Sequence, residues 1–128
     1  MVTVRTAKSK GNSLEYDVQY SLGYVYGDIY LTKERGFQRQ FDLCSDDFKV
    51  AIECKRLKGI SWNQAVKFYE KLVANSPEGY INYLVFKSNH QPCLVLRDFS
   101  GKYIIETFED CFNTKFLKHV STRKKVLK

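Results

Sequence analysis

The spacing of apolar and polar positions divides the chain into helix-like and strand-like segments in the order αβββαβββα, give or take one element. Leu14, Val18 and Leu22 recur every four residues behind Asn12, an N-cap candidate with Glu15 three places on, and Gly23 supplies a stop. This predicts an amphipathic helix. Tyr24 to Leu31 is rich in Tyr, Val and Ile around Gly27 and reads as extended structure with a break. Beyond a polar loop at Gly36, FDLC and FKVAIECK flank the turn residues Ser45 to Asp47 as two arms of a β-hairpin. Ser61 then caps a second helix, in which Ala65, Phe68, Tyr69 and Leu72 keep helical spacing until Asn75, Ser76 and Pro77. YINYLVFKS, PCLVLRD and KYIIETF are three further strand-like runs, and Glu109 to Leu117 predicts a short closing helix.

Parity on the second hairpin strand separates Val50, Ile52 and Cys54, on one face, from Ala51, Glu53 and Lys55 on the other. One face packs and the other presents charge. YLVF is nearly all apolar, as suits a central strand buried on both sides, and a strand, helix, strand order over residues 48–88 predicts a crossover with parallel pairing. The expected fold is α/β (α+β), one domain with a central mixed β-sheet flanked by helices. At 128 residues, with no internal repeat or shift in composition, residues 1–128 are expected to form that single domain. A basic arm over residues 1–10 and a basic tail over 118–128 flank it.

Charge changes the picture most: a formal net charge of +7 favours a polyanionic partner. No run approaches the roughly 20 apolar residues needed to cross a bilayer, and MVTVRTAKSKGN lacks the apolar core of a secretion signal. The expectation is an intracellular, cytoplasmic protein without membrane partners. Cys44, Cys54, Cys93 and Cys111 show no zinc-ligand spacing, so buried free thiols are expected, with a disulfide as the alternative in a hyperthermophile. His90 and His119 stand apart from each other and from any cysteine pair, which favours a structural or surface role.

Asp42 on the first hairpin strand, with Glu53 and Lys55 on the second, would bring two carboxylates and an ammonium to one edge. Phosphodiester hydrolysis needs that combination: oxygen ligands for a hard cation, and a positive charge beside the attacking water and the developing phosphorane.

These residues resemble the PD-(D/E)xK nuclease superfamily, and within it the archaeal Holliday junction resolvases. The resemblance covers roughly residues 8–72 and rests on KSKGNSLEYDV, RGFQRQFDL with Asp42, IECKR at Ile52 to Arg56, and SWNQ at Ser61 to Gln64. Phe41 stands where a proline often precedes the aspartate, and no serine- and glycine-rich loop precedes Asp42. The resemblance implies a restriction-endonuclease-like core αβββαβ and an active site of Glu15, Asp42, Glu53, Lys55 and Gln64. It implies Mg²⁺, with Mn²⁺ as a substitute, on Asp42, Glu53, the Cys54 carbonyl and Glu15. Lys55 would orient or activate the nucleophile, and Gln64 would fix Lys55 or a phosphate. It also implies a homodimer that cuts opposing strands of a four-way DNA junction, leaving 5′-phosphates, with a virus or mobile element of an archaeal host as a possible source. Arg5, Lys8, Lys10, Lys33, Arg35, Arg39, Arg56 and Lys58 are the candidate DNA contacts.

Structural readings stand beside these. Glu15 and Gln64 both occupy capping-box positions, Asp46 and Asp47 suit a solvated turn, and Trp62 suits a core anchor. The rival functions are a PD-(D/E)xK nuclease acting on other DNA in replication, restriction or degradation, and a non-catalytic nucleic-acid-binding domain.

Overall fold

The computed structural model describes residues 14–35, 39–59 and 61–118. Residues 14–22 form α1. There follow β1 (Tyr30–Leu31), a 3₁₀ turn (Thr32–Arg35), β2 (Leu43–Ser45), β3 (Val50–Arg56) and α2 (Trp62–Asn75). The chain continues through β4 (Ile81–Lys87), β5 (Leu94–Phe99), β6 (Lys102–Thr107) and α3 (Phe108–Phe112). The strands make one mixed sheet in sequence order. Neighbours are antiparallel except β3 and β4, which run parallel from Val50 opposite Ile81 to Arg56 opposite Lys87. That exception follows from α2, which carries the chain back to the end at which β3 began.

The period-2 pattern of β3 separates two cores. Val50, Ile52 and Cys54 pack with Leu14, Val18 and Leu22 of α1 and with Phe108 and Phe112 of α3. On the opposite face Ala51 meets Leu72 of α2, while Leu84, Phe86 and Leu96 meet Ala65 and Tyr69. A strand covered on both sides must be apolar at successive positions, and Leu84, Val85 and Phe86 of β4 are all buried. At the start of α2, Ser61 and Gln64 exchange side chain to backbone hydrogen bonds, each 3.2 Å. Between β5 and β6, Ser100 and Gly101 both take positive φ, 54° and 84°, as a two-residue hairpin turn requires.

Four expectations are corrected. Only Tyr30 and Leu31 of the 24–31 run join the sheet: Tyr26 ties back to α1 through its N–H to the Leu22 carbonyl (2.8 Å), so this apolar sequence fills a helix–sheet junction. The closing helix stops at Phe112, not Leu117, because Asn113 turns left-handed (φ 54°, ψ 40°). The chain then folds back, and the Leu117 N–H donates to the Ser21 hydroxyl of α1 at 2.8 Å. Trp62 is half exposed rather than a core anchor. All four cysteines are free, but Cys111 is only partly buried. Among the described residues no helix is long and apolar enough to cross a membrane. The basic arm, and the tail beyond residue 118, lie outside the described residues.

Asp46 is the exposed turn acid expected, and it also ties three segments together. Its carboxylate accepts from the Tyr80 hydroxyl (2.5 Å), the Tyr30 hydroxyl (2.7 Å) and the Arg39 guanidinium (3.1 Å). The two tyrosines, then Arg39, hold the carboxyl well below its ordinary range. One turn residue thus joins β1, the segment before β2, and the residue before β4. Asp46→Asn should destabilise the fold by about 1 kcal/mol at neutral pH, the scale of partly exposed charge-assisted hydrogen bonds. A carboxyl depressed by folding stabilises fully above its unfolded pKa and loses that contribution as pH falls through its folded one. The difference between wild type and variant in urea titrations should therefore shrink below about pH 3.9. An unchanged difference at about pH 3 would assign the loss to shape rather than charge.

Candidate active site

Asp42 immediately precedes β2 and is tied to β3 twice. Its N–H donates to the Ile52 carbonyl at 3.0 Å, and its Oδ2 accepts the Cys54 N–H at 2.9 Å. Its own carbonyl accepts the Thr32 N–H at 3.0 Å. The carboxylate is therefore positioned by backbone, flanked on β3 by Glu53.

Glu53 shares the α2-facing side of β3 with Lys55, whose Nζ lies 3.4 Å from Glu53 Oε2. The same ammonium sits 4.7 Å from the centre of the Phe68 ring on α2. Glu15 arrives from α1, on the other side of the sheet, and its Oε1 lies 3.4 Å from Lys33 Nζ. Leu14 and Val18 anchor that helix in the core, which confines Glu15 to the sheet margin.

Asp42 is the common neighbour. Burial and then the Asp42 charge push the Glu15 carboxyl up to about 7, against the opposing pull of Lys33. Burial and then Asp42 do the same to Glu53, also to about 7, against the pull of Lys55. Both side chains are mostly buried, at 16% and 20% exposure. Crowded carboxylates in a poorly solvated place repel one another, and a bound cation or a proton relieves that repulsion.

The donors are hard oxygens and suit Mg²⁺ or Mn²⁺ in kind. They do not form a closed cage: among the described residues, no three His, Cys, Asp or Glu side chains converge tightly enough to hold an ion as they stand. Each glutamate is drawn instead to its own lysine. The expected ligand set is thus a loose cluster around Asp42. The Cys54 thiol belongs to the opposite core, and burial pushes its pKa well up.

Gln64 is not part of this cluster. Its Oε1 accepts the Ser61 N–H, so the capping role accounts for its position and commits that oxygen to the helix start. Arg39 is engaged with Asp46, the Tyr30 hydroxyl (3.2 Å) and Cys44 Sγ (3.0 Å), which directs it to fold rather than to DNA. Arg35 is exposed and stacks 4.0 Å from the centre of the Tyr30 ring. Arg56 is partly buried, and its Nε has no hydrogen-bond partner among the described residues. Lys58 is exposed. Arg5, Lys8, Lys10, Asn12 and His119 lie outside the described residues, while His90 is an exposed turn residue at φ 62°. Sequence reasoning missed two neighbours, Lys33 as the counter-ion of Glu15 and Phe68 beneath Lys55; only a charge cluster and a helical apolar stripe marked them.

No family model matches the chain, and neither a curated protein nor a solved structure matches it.

The two raised carboxyls set a pH dependence. A carboxyl whose pKa is raised by folding binds its proton more tightly in the native state, so stability falls as pH climbs from about 4.5 through about 7. Glu53→Gln should therefore stabilise the metal-free protein at pH 8, on the order of 1–2 kcal/mol, with the gain vanishing near pH 4. Thermal unfolding in EDTA across that range checks it. A constant gain at every pH would locate the effect in packing.

Proposed function

We propose that the protein is a metal-dependent DNA endonuclease of the PD-(D/E)xK type that acts on branched DNA, with the four-way junction as its substrate. The observation that carries this reading is Asp42, fixed by the Cys54 N–H between Glu15 and Glu53 with Lys55 beside Glu53. Two acids and a lysine gathered at one place suit metal-assisted phosphodiester hydrolysis. Carboxylates gathered beside phosphates would hinder a protein that only bound DNA.

Asp42, Glu53 and the Cys54 carbonyl would hold Mg²⁺ or Mn²⁺, with Glu15 binding directly or through water. Such an ion polarises the phosphate and lowers the pKa of an attacking water. Lys55 would orient an attacking water and offset charge developing on the phosphorane, with the Phe68 ring against its ammonium. Lys33 offsets part of the Glu15 charge. Exposed Arg35 and Lys58, with Arg56, would hold flanking phosphates, joined by Arg5, Lys8 and Lys10 of the arm. Cleaving both strands of a junction calls for two such centres, hence a homodimer. Cytoplasmic action and a viral or mobile-element origin fit the same reading.

Incubation of labelled four-way junction and matched linear duplex, with Mg²⁺ or EDTA, tests the activity and its substrate together. Metal-dependent cuts placed symmetrically at the branch are expected. Binding without cleavage under every metal condition would leave a non-catalytic DNA-binding domain, and equal cutting of duplex a nuclease of other specificity.

Asp42→Asn and Glu53→Gln should each abolish cleavage while junction binding holds or tightens, because a ligand is lost and repulsion of phosphates falls. Near-normal turnover by either variant refutes the centre. Lys55→Ala should lower kcat by about a hundredfold with little change in binding. If binding falls as far as turnover does, Lys55 is only a phosphate contact.

A further inference from the structure

A cavity of about 290 Å³ opens at the far end of α2, lined by Tyr69, Val73, Tyr80, Ile81, Asn82, Asp98 and Tyr103. It lies on the same face of the sheet as Glu53 and Lys55. Asn82 precedes Phe86, the cross-strand partner of Lys55, by four residues, which sets the two places roughly 13 Å apart along the strand.

Three tyrosines form its walls, and each is held by its hydroxyl. Tyr69 accepts the Asp98 N–H at 3.3 Å, Tyr80 donates to Asp46 at 2.5 Å, and Tyr103 donates to Glu70 at 3.5 Å. The Tyr69 and Tyr103 rings meet at 63° with centroids 5.3 Å apart, making a corner of two π faces. Asp98 adds a carboxylate, one oxygen of which accepts the Gly101 N–H at 2.8 Å. Val73 and Ile81, at 45% and 53% exposure, form an apolar rim. Tyr80 and Asp46 already hold the Arg39 guanidinium, which leaves Asp98 and the Tyr69 and Tyr103 faces as the groups complementary to a further cation.

We propose that this cavity is a docking site for a positively charged side chain, arginine or lysine, presented by a partner protein. The π faces and Asp98 attract the charge, the exposed Val73 and Ile81 cover the aliphatic stem, and the fixed hydroxyls spare the site the entropy of ordering its rings. The geometry owes nothing to the nuclease reading and stands or falls separately from it.

The test is an amide NMR titration of the whole protein with argininamide, with isobutanol as a neutral probe. Argininamide should shift Gly101, Asp98 and Tyr103 saturably with a Kd on the order of 1–10 mM, the range open to a single side chain. Asp98→Asn keeps the acceptor for the Gly101 N–H and should weaken that binding about tenfold or more without unfolding the protein. Equal response to isobutanol, or unaltered argininamide binding by Asp98→Asn, overturns the cation assignment. Shifts at these residues that appear with rising protein concentration alone would mean that a second copy fills the cavity, and overturn the separate partner.

Discussion

Everything in the candidate site hangs on the double attachment of Asp42 to β3. With its N–H on Ile52 and its carboxylate on the Cys54 N–H, this residue is located by the sheet ladder rather than by a side-chain rotamer. Thr32 brings the 3₁₀ turn to the Asp42 carbonyl, and Lys33, next in sequence, then reaches Glu15. The cores on the two sides of β3 do the rest. One confines α1 and therefore Glu15; the other confines α2 and therefore Phe68 beneath Lys55.

That arrangement is electrostatically expensive in the absence of a cation. Glu15, Asp42 and Glu53 carry three negative charges when ionised, and Lys33 and Lys55 offset two of them. Burial removes the water that would screen the remainder, which is why both glutamates hold their protons to about 7. A sequence selected only for stability would relax such a cluster by replacing one acid with an apolar residue. The two lysine pairs explain both how the fold tolerates the cluster and why it does not close into a cage: each glutamate has a competing partner on its own flank.

Features set by local spacing were legible in the sequence. The parity of β3, the Ser61 cap, the apolar β4 and its parallel pairing with β3 all follow from short-range pattern or from the rule that a helix reverses the chain. The triad of Asp42, Glu53 and Lys55 was legible for the same reason, since a hairpin fixes which residues face one another. What escaped depends on contacts between distant segments. Lys33 looked like any member of a basic cluster until α1 packed near it, and Asp46 looked like a turn acid until Tyr30, Arg39 and Tyr80 converged on it. The stop of α3 turned on one residue, Asn113, whose left-handed backbone outweighed an apolar pattern that ran on to Leu117.

Asp46 also bears on how the two ends of the molecule are held together. Arg39 lies three residues before Asp42, so its bond to Asp46 fixes the approach of the chain to the candidate site from the turn at the opposite end of the hairpin. Tyr80 takes the same carboxylate and lines the aromatic cavity under the end of α2. The cavity and the approach to Asp42 thus share one anionic anchor. A shared anchor is not by itself coupling, which requires an element with two states that both places bias. What it does impose is a common rigidity. Neither Tyr80 nor Arg39 can leave Asp46 without stripping it of a charge-assisted or hydroxyl donor, so the position of the ring and the path of the chain into Asp42 are set by the same carboxylate.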